Sequence, residues 1–309
     1  MSDATRARGR AGVIGVGAMG MAMARNLHAK PRRVLARDVR PAADAEARAA
    51  GLSVCDPPRA LAAQTDVAII VVVNAAQIDA VLFDADGVAA AAADGGAKTV
   101  LRCSTIAPQD TQRCAARLAR HGLATIDAPI SGGPARALAG TMSTVLAAPA
   151  ATLAQSQSQS QSQPPLADLA DLAEKRFGVS EAIGDAAKAT AKLDNNLLAG
   201  TNLVAGAEAL ALAEKIGLDP RAMFETLRAS SGASWVFEDR MARALAEDPS
   251  PPRAAAHLLT NDMGLATAMA ASAAHPTPLG DAALARPRET IERGWAERDD
   301  AAVIKTYRA

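Results

Sequence analysis

Apolar and polar positions follow two different rules along this chain, one on each side of a polar, proline-terminated tract. Before the tract, short runs rich in Val and Ile alternate with longer Ala-, Leu- and Arg-rich stretches. AGVIGVG, RRVLARD, DVAIIVVV, KTVLRCS, LATIDAP and MSTVLAA read as strands, each bounded by Gly, Pro, Asp or Asn. Helix-length segments separate most of them, as a parallel crossover requires, so the pattern predicts βαβ units and a parallel sheet covered on both faces. Residues 155–163 are SQ repeats followed by Pro164 and Pro165. That composition buries no apolar surface and predicts a mobile loop over 155–165. Residues 166–176 read as helix, and FGVSEAIG as a last strand.

Beyond Gly184 the period changes. Asp185 is a helix cap, and the run that follows carries no Pro as far as Gly217. It predicts one helix of roughly 30 residues, about 45 Å long, that tolerates Gly200 and Gly206 in its interior. Asp219 and Pro220 mark the start of the next helix, and ALAEDPSPPR marks a turn between later ones. Pro287 falls inside a further helical stretch and predicts a kink or a break. The chain therefore divides into an α/β part with a parallel sheet over 1–184 and an all-α part over 185–309, joined through the long helix. On that helix Lys188, Lys192 and Asn196 are four residues apart and share one face. Alone, the stripe reads as two solvated lysines and an amide.

Composition narrows the functional classes. Lys plus Arg and Asp plus Glu both number 33, and no basic stripe interleaved with aromatics exists, which argues against nucleic acid as a partner. Aromatics make up only 2% of the chain, so Leu, Val, Ile, Met and Ala must build the core. The cysteines at 55, 103 and 114 and the four histidines lack metal-ligand spacing. Reduced thiols and no bound metal are the expectation. TRARGR leads into a strand without the apolar segment of a signal peptide, and no apolar stretch is long and bulky enough to span a bilayer. No membrane partner is expected, and a cytoplasmic location is.

The first candidate chemistry lies between the first strand and the first helix. Gly15, Gly17 and Gly20 in VIGVGAMG form G-x-G-x-x-G in the context that dinucleotide binding requires: a tight turn, close approach to a pyrophosphate, and helix packing. The helix N-terminus then presents free amides to the phosphates. Met19 and Met23 share a helix face and are expected to pack on the sheet. Asp38 ends the second strand at the distance where a carboxylate accepts from the ribose hydroxyls of NAD, and it repels the additional phosphate of NADP. NAD is therefore the expected cofactor, with NADP second. Arg37 and Arg40 read as a solvated strand end.

Three segments together, VIGVGAMG, DAPISGGPARALAGT from Asp127 and KLDNN from Lys192, resemble the β-hydroxyacid dehydrogenase family over nearly the whole chain. The resemblance implies a Rossmann-like domain joined by a long helix to a helical domain that packs on a partner subunit, in a homodimer or homotetramer. It implies that Lys192 is the general base for alcohol oxidation and that Asn196 orients the substrate. Ser131, Gly132 and Gly133 would hold a substrate carboxylate, and Thr105 would touch the cofactor alongside Gly15, Gly17, Met19, Gly20 and Asp38. LLAGTNLVAGAEALALAEKIGLD, SSGASWVFEDRM and DDAAVIK are similar to the branch acting on L-threonate, which makes Ser234 and Trp235 candidates for the far end of the substrate, with burial as the alternative for Trp235. A small hydroxy acid is the implied substrate: L-threonate oxidised at C2 first, with 3-hydroxyisobutyrate or tartronate semialdehyde chemistry second. Three positions depart from the family pattern. Ala186 and Lys188 stand where glycines are usual, and Asn261 in NDMGL replaces a cofactor-contacting lysine. These departures keep open a non-catalytic, NAD-binding regulatory role. A third reading, imine reduction, sits less well with a retained Lys192.

Overall fold

A computed structural model describes residues 8–30, 32–145, 175–177, 185–246 and 252–308. The expected loop over 155–165 and most of FGVSEAIG lie outside these residues. The chain forms two compact units, 1–191 and 192–309.

The first unit is built on six parallel strands: β1 (Arg8–Ile14), β2 (Arg32–Arg37), β3 (Ser53–Val54), β4 (Val67–Ile70), β5 (Thr99–Arg102) and β6 (Ala124–Asp127). Their order is β3-β2-β1-β4-β5-β6, so the chain reverses direction across the sheet between β1 and β4. A ligand crevice opens at such a switch point, beyond the carboxyl ends of the strands. Alternate residues of each strand feed the two faces. Val13 joins a cluster with Met23 and Leu27 of α1 (Ala18–His28), while Ile14 joins one with Leu61 of α3 (Pro58–Ala63), Leu82 of α4 (Ala75–Phe83) and Leu118 of α5 (Pro108–Arg120). The remaining helices of this unit's sheet region are α2 (Pro41–Ala49) and α6 (Gly133–Ala139). Met23 is buried and Met19 packs beside it, as the shared face predicts.

MSTVLAA does not extend the parallel sheet. A separate three-stranded sheet pairs β7 (Ile130–Ser131) antiparallel with β8 (Ser143–Val145), and β8 parallel with β9 (Lys175–Phe177). The connection between β7 and β8 contains α6 and returns the chain in the opposite direction. The strand at Lys175–Phe177 also takes the last two positions of the helix expected over 166–176.

Helix α7 (Asp185–Lys215) is continuous over 31 residues. The second unit adds α8 (Pro220–Arg228), α9 (Trp235–Ala244), α10 (Ala256–Ser272), α11 (Pro278–Glu292) and a short 3-10 helix, Asp300–Thr306. Asp219 caps α8 by accepting from the amides of Arg221 and Ala222, with Pro220 in the first turn. The interior glycines of α7 are sites of close helix packing: a Cβ at Gly200 would stand 2.1 Å from Met263 Sδ, and one at Gly206 would stand 2.8 Å from the Phe237 ring. Around that contact Leu203, Ala207, Leu210, Phe237, Met241 and Leu284 are buried together.

Two expectations are corrected here. Helix α11 runs through Pro287 without a break. The segment Lys192–Lys215 is long and apolar enough to cross a membrane by length and composition, contrary to the reading from its Ala-rich sequence. Half of it is buried within the protein, and the core residues just named account for its apolar character.

Candidate active site

The glycine loop follows β1 at the switch point. Gly15 adopts φ +94°, and a Cβ there would lie 2.3 Å from the Val71 carbonyl oxygen. At Gly20 a Cβ would lie 2.0 Å from the Gly15 carbonyl oxygen, so this glycine lets α1 seat against the loop. Gly17 is different: a Cβ there would meet only Arg40 Nη2, at 3.5 Å. Its missing side chain therefore leaves open space where the other two accommodate protein. Gly17 precedes α1, whose first turn carries no acidic residue and has no capping side chain. Free amides and the positive end of the helix dipole remain for an anion. A cleft of about 610 Å³ continues past Gly15 and Gly17 along Asp38, Val39 and Arg40. These features fit a dinucleotide.

Arg37 is not a solvated strand end, whereas Arg40 is exposed, as expected, and also pairs with Asp38. Arg37 pairs with Asp44 at 2.7 Å and with Asp56 at 2.8 Å. Asp38 is buried and accepts from the backbone amide and Nε of Arg40, both at 3.0 Å, and from its Nη2 at 3.2 Å. Burial opposes the charge of Asp38, but these bonds and the Arg40 guanidinium hold its carboxyl below the usual carboxylate range.

Ser131, Gly132 and Gly133 lie where β7 ends and α6 begins. Gly132 and Gly133 have φ +127° and +75°, a conformation that successive L side chains rarely adopt, and no atom lies within 4 Å of a Cβ at Gly133. Consecutive backbone amides in such a turn form a concave anion site. Thr105 is half-buried in the segment after β5. Ser104 beside it donates to the Val72 carbonyl at 2.5 Å.

In the second unit, α7 presents Lys192 and Asn196, both buried, at 7% and 6% exposure. The reading of the stripe as a solvated face is thereby set aside for these two residues. Asn196 Nδ2 donates to Asp262 Oδ2 of α10 at 2.5 Å, and its Oδ1 accepts from Asn195 at 3.0 Å. Burial lowers the pKa of Lys192 against the pull of Asp262, and the Arg240 charge lowers it further. Burial also pushes Asp262 up to about 6, against Lys192 and hydrogen bonds from Asn261 and Asn196. Both partners are thus driven toward their neutral forms, and a neutral lysine amine is a base. Arg240 of α9 is fixed by Asp300 at 2.9 Å and by the adjacent Asp239, and its guanidinium lies 5.7 Å from the Trp235 ring centroid. Asp300 is itself pushed up to about 6 by burial.

Asp262 and Arg240 were not among the residues expected from sequence. A signal for Asp262 existed, since it is the acidic residue of NDMGL within an Ala-rich helix. Asn261, expected at the cofactor, is exposed and reaches Asp262. The Ser234 hydroxyl caps α9 by accepting from the Phe237 amide at 3.0 Å. Trp235 is 53% exposed, so the burial reading for it does not hold. The side chains of Ala186 and Lys188 lie outside the described residues.

Residues 10–159 match the family model for the NAD binding domain of 6-phosphogluconate dehydrogenase, and residues 186–307 match that for the NAD-binding region of NADP-dependent 3-hydroxyisobutyrate dehydrogenase. The L-threonate dehydrogenase of Cupriavidus necator is 36% identical over 296 residues, 96% of this chain and 95% of that protein. The chain belongs to the β-hydroxyacid dehydrogenase family. Another relative, the NAD-dependent L-serine dehydrogenase of Pseudomonas aeruginosa, is 33% identical over 95% of this chain and 96% of that protein. The crystal structure of a 3-hydroxyisobutyrate dehydrogenase from Salmonella typhimurium superposes with a TM-score of 0.83 at 33% identity, covering 96% of this chain and 99% of that one. As a member of the family the protein is an oxidoreductase that uses NAD, with a Rossmann-like sheet unit and a helical unit.

Proposed function

We propose that the protein oxidises a small hydroxy acid, L-threonate at C2, with Lys192 as the general base. The observation that carries the chemistry is the burial of Lys192 beside Asp262 and Arg240, which favours the neutral amine. Bound NAD supplies a hydride acceptor. Gly15, Gly17 and Gly20 shape its phosphate site, Asp38 accepts from its ribose, and Thr105 and Met19 flank it. The amides at Ser131, Gly132 and Gly133 hold the substrate carboxylate. Asn196, with its amide oriented by Asp262 and Asn195, aligns the substrate hydroxyl, and Lys192 takes the hydroxyl proton. Ser234 meets the distal end of the substrate through its backbone, since its hydroxyl serves as a cap. The choice of L-threonate rests on relatives of that name at 33–36% identity along almost the full chain.

Steady-state turnover of a panel of L-threonate, L-serine, 3-hydroxyisobutyrate and glycerate, the reduced partner of tartronate semialdehyde, with NAD, read as NADH absorbance, tests this. Faster turnover of 3-hydroxyisobutyrate than of L-threonate overturns the substrate assignment, and the relatives and structure of that name support this second reading. NADH binding with no oxidation of any panel member would instead support the regulatory role. We place the protein in the cytoplasm as a homodimer or homotetramer, supported by exposed Leu198, Leu212 and Ile216 along α7. Light scattering reads the subunit number.

A further inference from the structure

Arg102 and Asp127 form an ion pair that neither the glycine loop nor the Lys192 cluster uses. They are register partners at the last positions of β5 and β6, and Arg102 Nη2 donates to Asp127 Oδ1 at 2.8 Å. Arg102 is 1% exposed and Asp127 is 5%. The pair is not a comfortable one. Both charges are buried, Arg102 reaches Cys114 besides Asp127, and burial raises the pKa of Asp127 despite the adjacent guanidinium. Two apolar side chains of similar volume would hold these strands at least as well, because desolvation offsets most of the attraction in a buried ion pair. Stability alone therefore does not account for it.

Its position does. Strand β6 is an edge strand of the six-stranded sheet, held on one side only among the described residues, whereas β5 lies between β4 and β6. Four residues past Asp127 the chain reaches Ser131 and the anion-binding turn. Between them, the Ala128 amide donates to the Arg102 carbonyl at 2.7 Å, and Thr144 donates to the Pro129 carbonyl at 3.1 Å. Arg102 thus holds the root of this turn twice, once through its backbone and once through its guanidinium. On the other side, Thr105 follows Arg102 by three residues, in the segment just past a strand that β4 already fixes.

We propose that Arg102 and Asp127 are positioning residues that set the end of β6, and with it the Ser131–Gly133 turn, relative to the cofactor-side segment after β5. This rests on the reading of that turn as the substrate carboxylate site. Loosening the pair moves the turn and leaves β5 in place, so substrate affinity falls while cofactor affinity does not.

The test uses the full-length protein with L-threonate and NAD. Arg102→Met/Asp127→Leu is expected to keep the melting temperature while raising KM for L-threonate about tenfold, with kcat and the Kd for NADH changing by less than about threefold. Arg102→Lys, which shortens the cation, should raise KM as well, and Arg102→Lys/Asp127→Glu, which restores the reach from the other strand, should recover it. A wild-type KM in the apolar double variant overturns the proposal. If that variant does not fold, a wild-type KM in Arg102→Lys, or no recovery in Arg102→Lys/Asp127→Glu, overturns it. Gly133→Ala, which puts a side chain on a residue at φ +75° and so distorts the amide turn itself, separates the two readings. A raised KM there beside a wild-type KM in the pair variants overturns the positioning role alone, and a wild-type KM there overturns the carboxylate site and this inference with it.

Discussion

Replacing Gly200 by Ala sets two effects of known size against each other. Alanine in a helix interior is favoured over glycine by about 1 kcal/mol. Here its Cβ would stand 2.1 Å from Met263 Sδ, 2.7 Å from Cγ and 2.8 Å from Cε. The clash involves the length of the side chain and not just its flexible tip, and Met263 is fully buried, so it has no solvent into which to swing. Overpacking a filled core costs about 1–3 kcal/mol. The balance is a net loss of up to about 2 kcal/mol, or up to roughly 8 °C in melting temperature at about 2–4 °C per kcal/mol. Differential scanning calorimetry on a double-mutant cycle with Met263→Ala isolates the cause. In that background the obstructing atoms are gone, and Gly200→Ala should become stabilising by about 1 kcal/mol. A higher melting temperature for Gly200→Ala in the wild-type background, or a lower one in the Met263→Ala background, refutes the packing argument.

Other consequences follow from the two sites. Lys192→Met should lower kcat/KM for the hydroxy acid by about 10²–10⁴ while NADH fluorescence titration gives an unchanged Kd, since a positioned base contributes that much. Asp262 titrates at about 6 in the fold, against about 3.9 unfolded, so the fold favours its neutral form and that stability is complete below about pH 4 and lost as pH rises through 6. Asp262→Asn should then be more stable than wild type by about 1–3 kcal/mol at pH 8 with the difference vanishing near pH 4, and equal melting temperatures at pH 8 would contradict it. Gly17→Ala should leave the melting temperature unchanged and weaken NADH binding about tenfold, whereas Gly20→Ala, blocked by the Gly15 carbonyl, should lower the melting temperature.

Local rules carried much of this structure. The alternation of strand and helix, the glycine loop, the cap at Asp219 and the length of α7 all depend on residues close in sequence, where period and capping chemistry act directly. The sequence is less informative where a residue's role is set by a distant partner. Asp262 meets Asn196 across 66 residues, and Arg240 meets Asp300 across 60. Neither pairing has a periodic signature. Gly200 and Gly206 look like imperfections in a helix until Met263 and Phe237 are placed against them. Arg37 looks like a solvated cation until Asp44 and Asp56 turn out to be its acceptors. The small sheet was missed because its strands have two or three residues each, too few for alternation to register.

The bond between Asp38 and Arg40 has a bearing on how this enzyme could change over evolutionary time. On the proposed role of Asp38 at the adenosine ribose, the carboxylate that would disfavour a phosphate there is also the one that engages the Arg40 guanidinium. Losing Asp38 would remove the repulsion and release the guanidinium together.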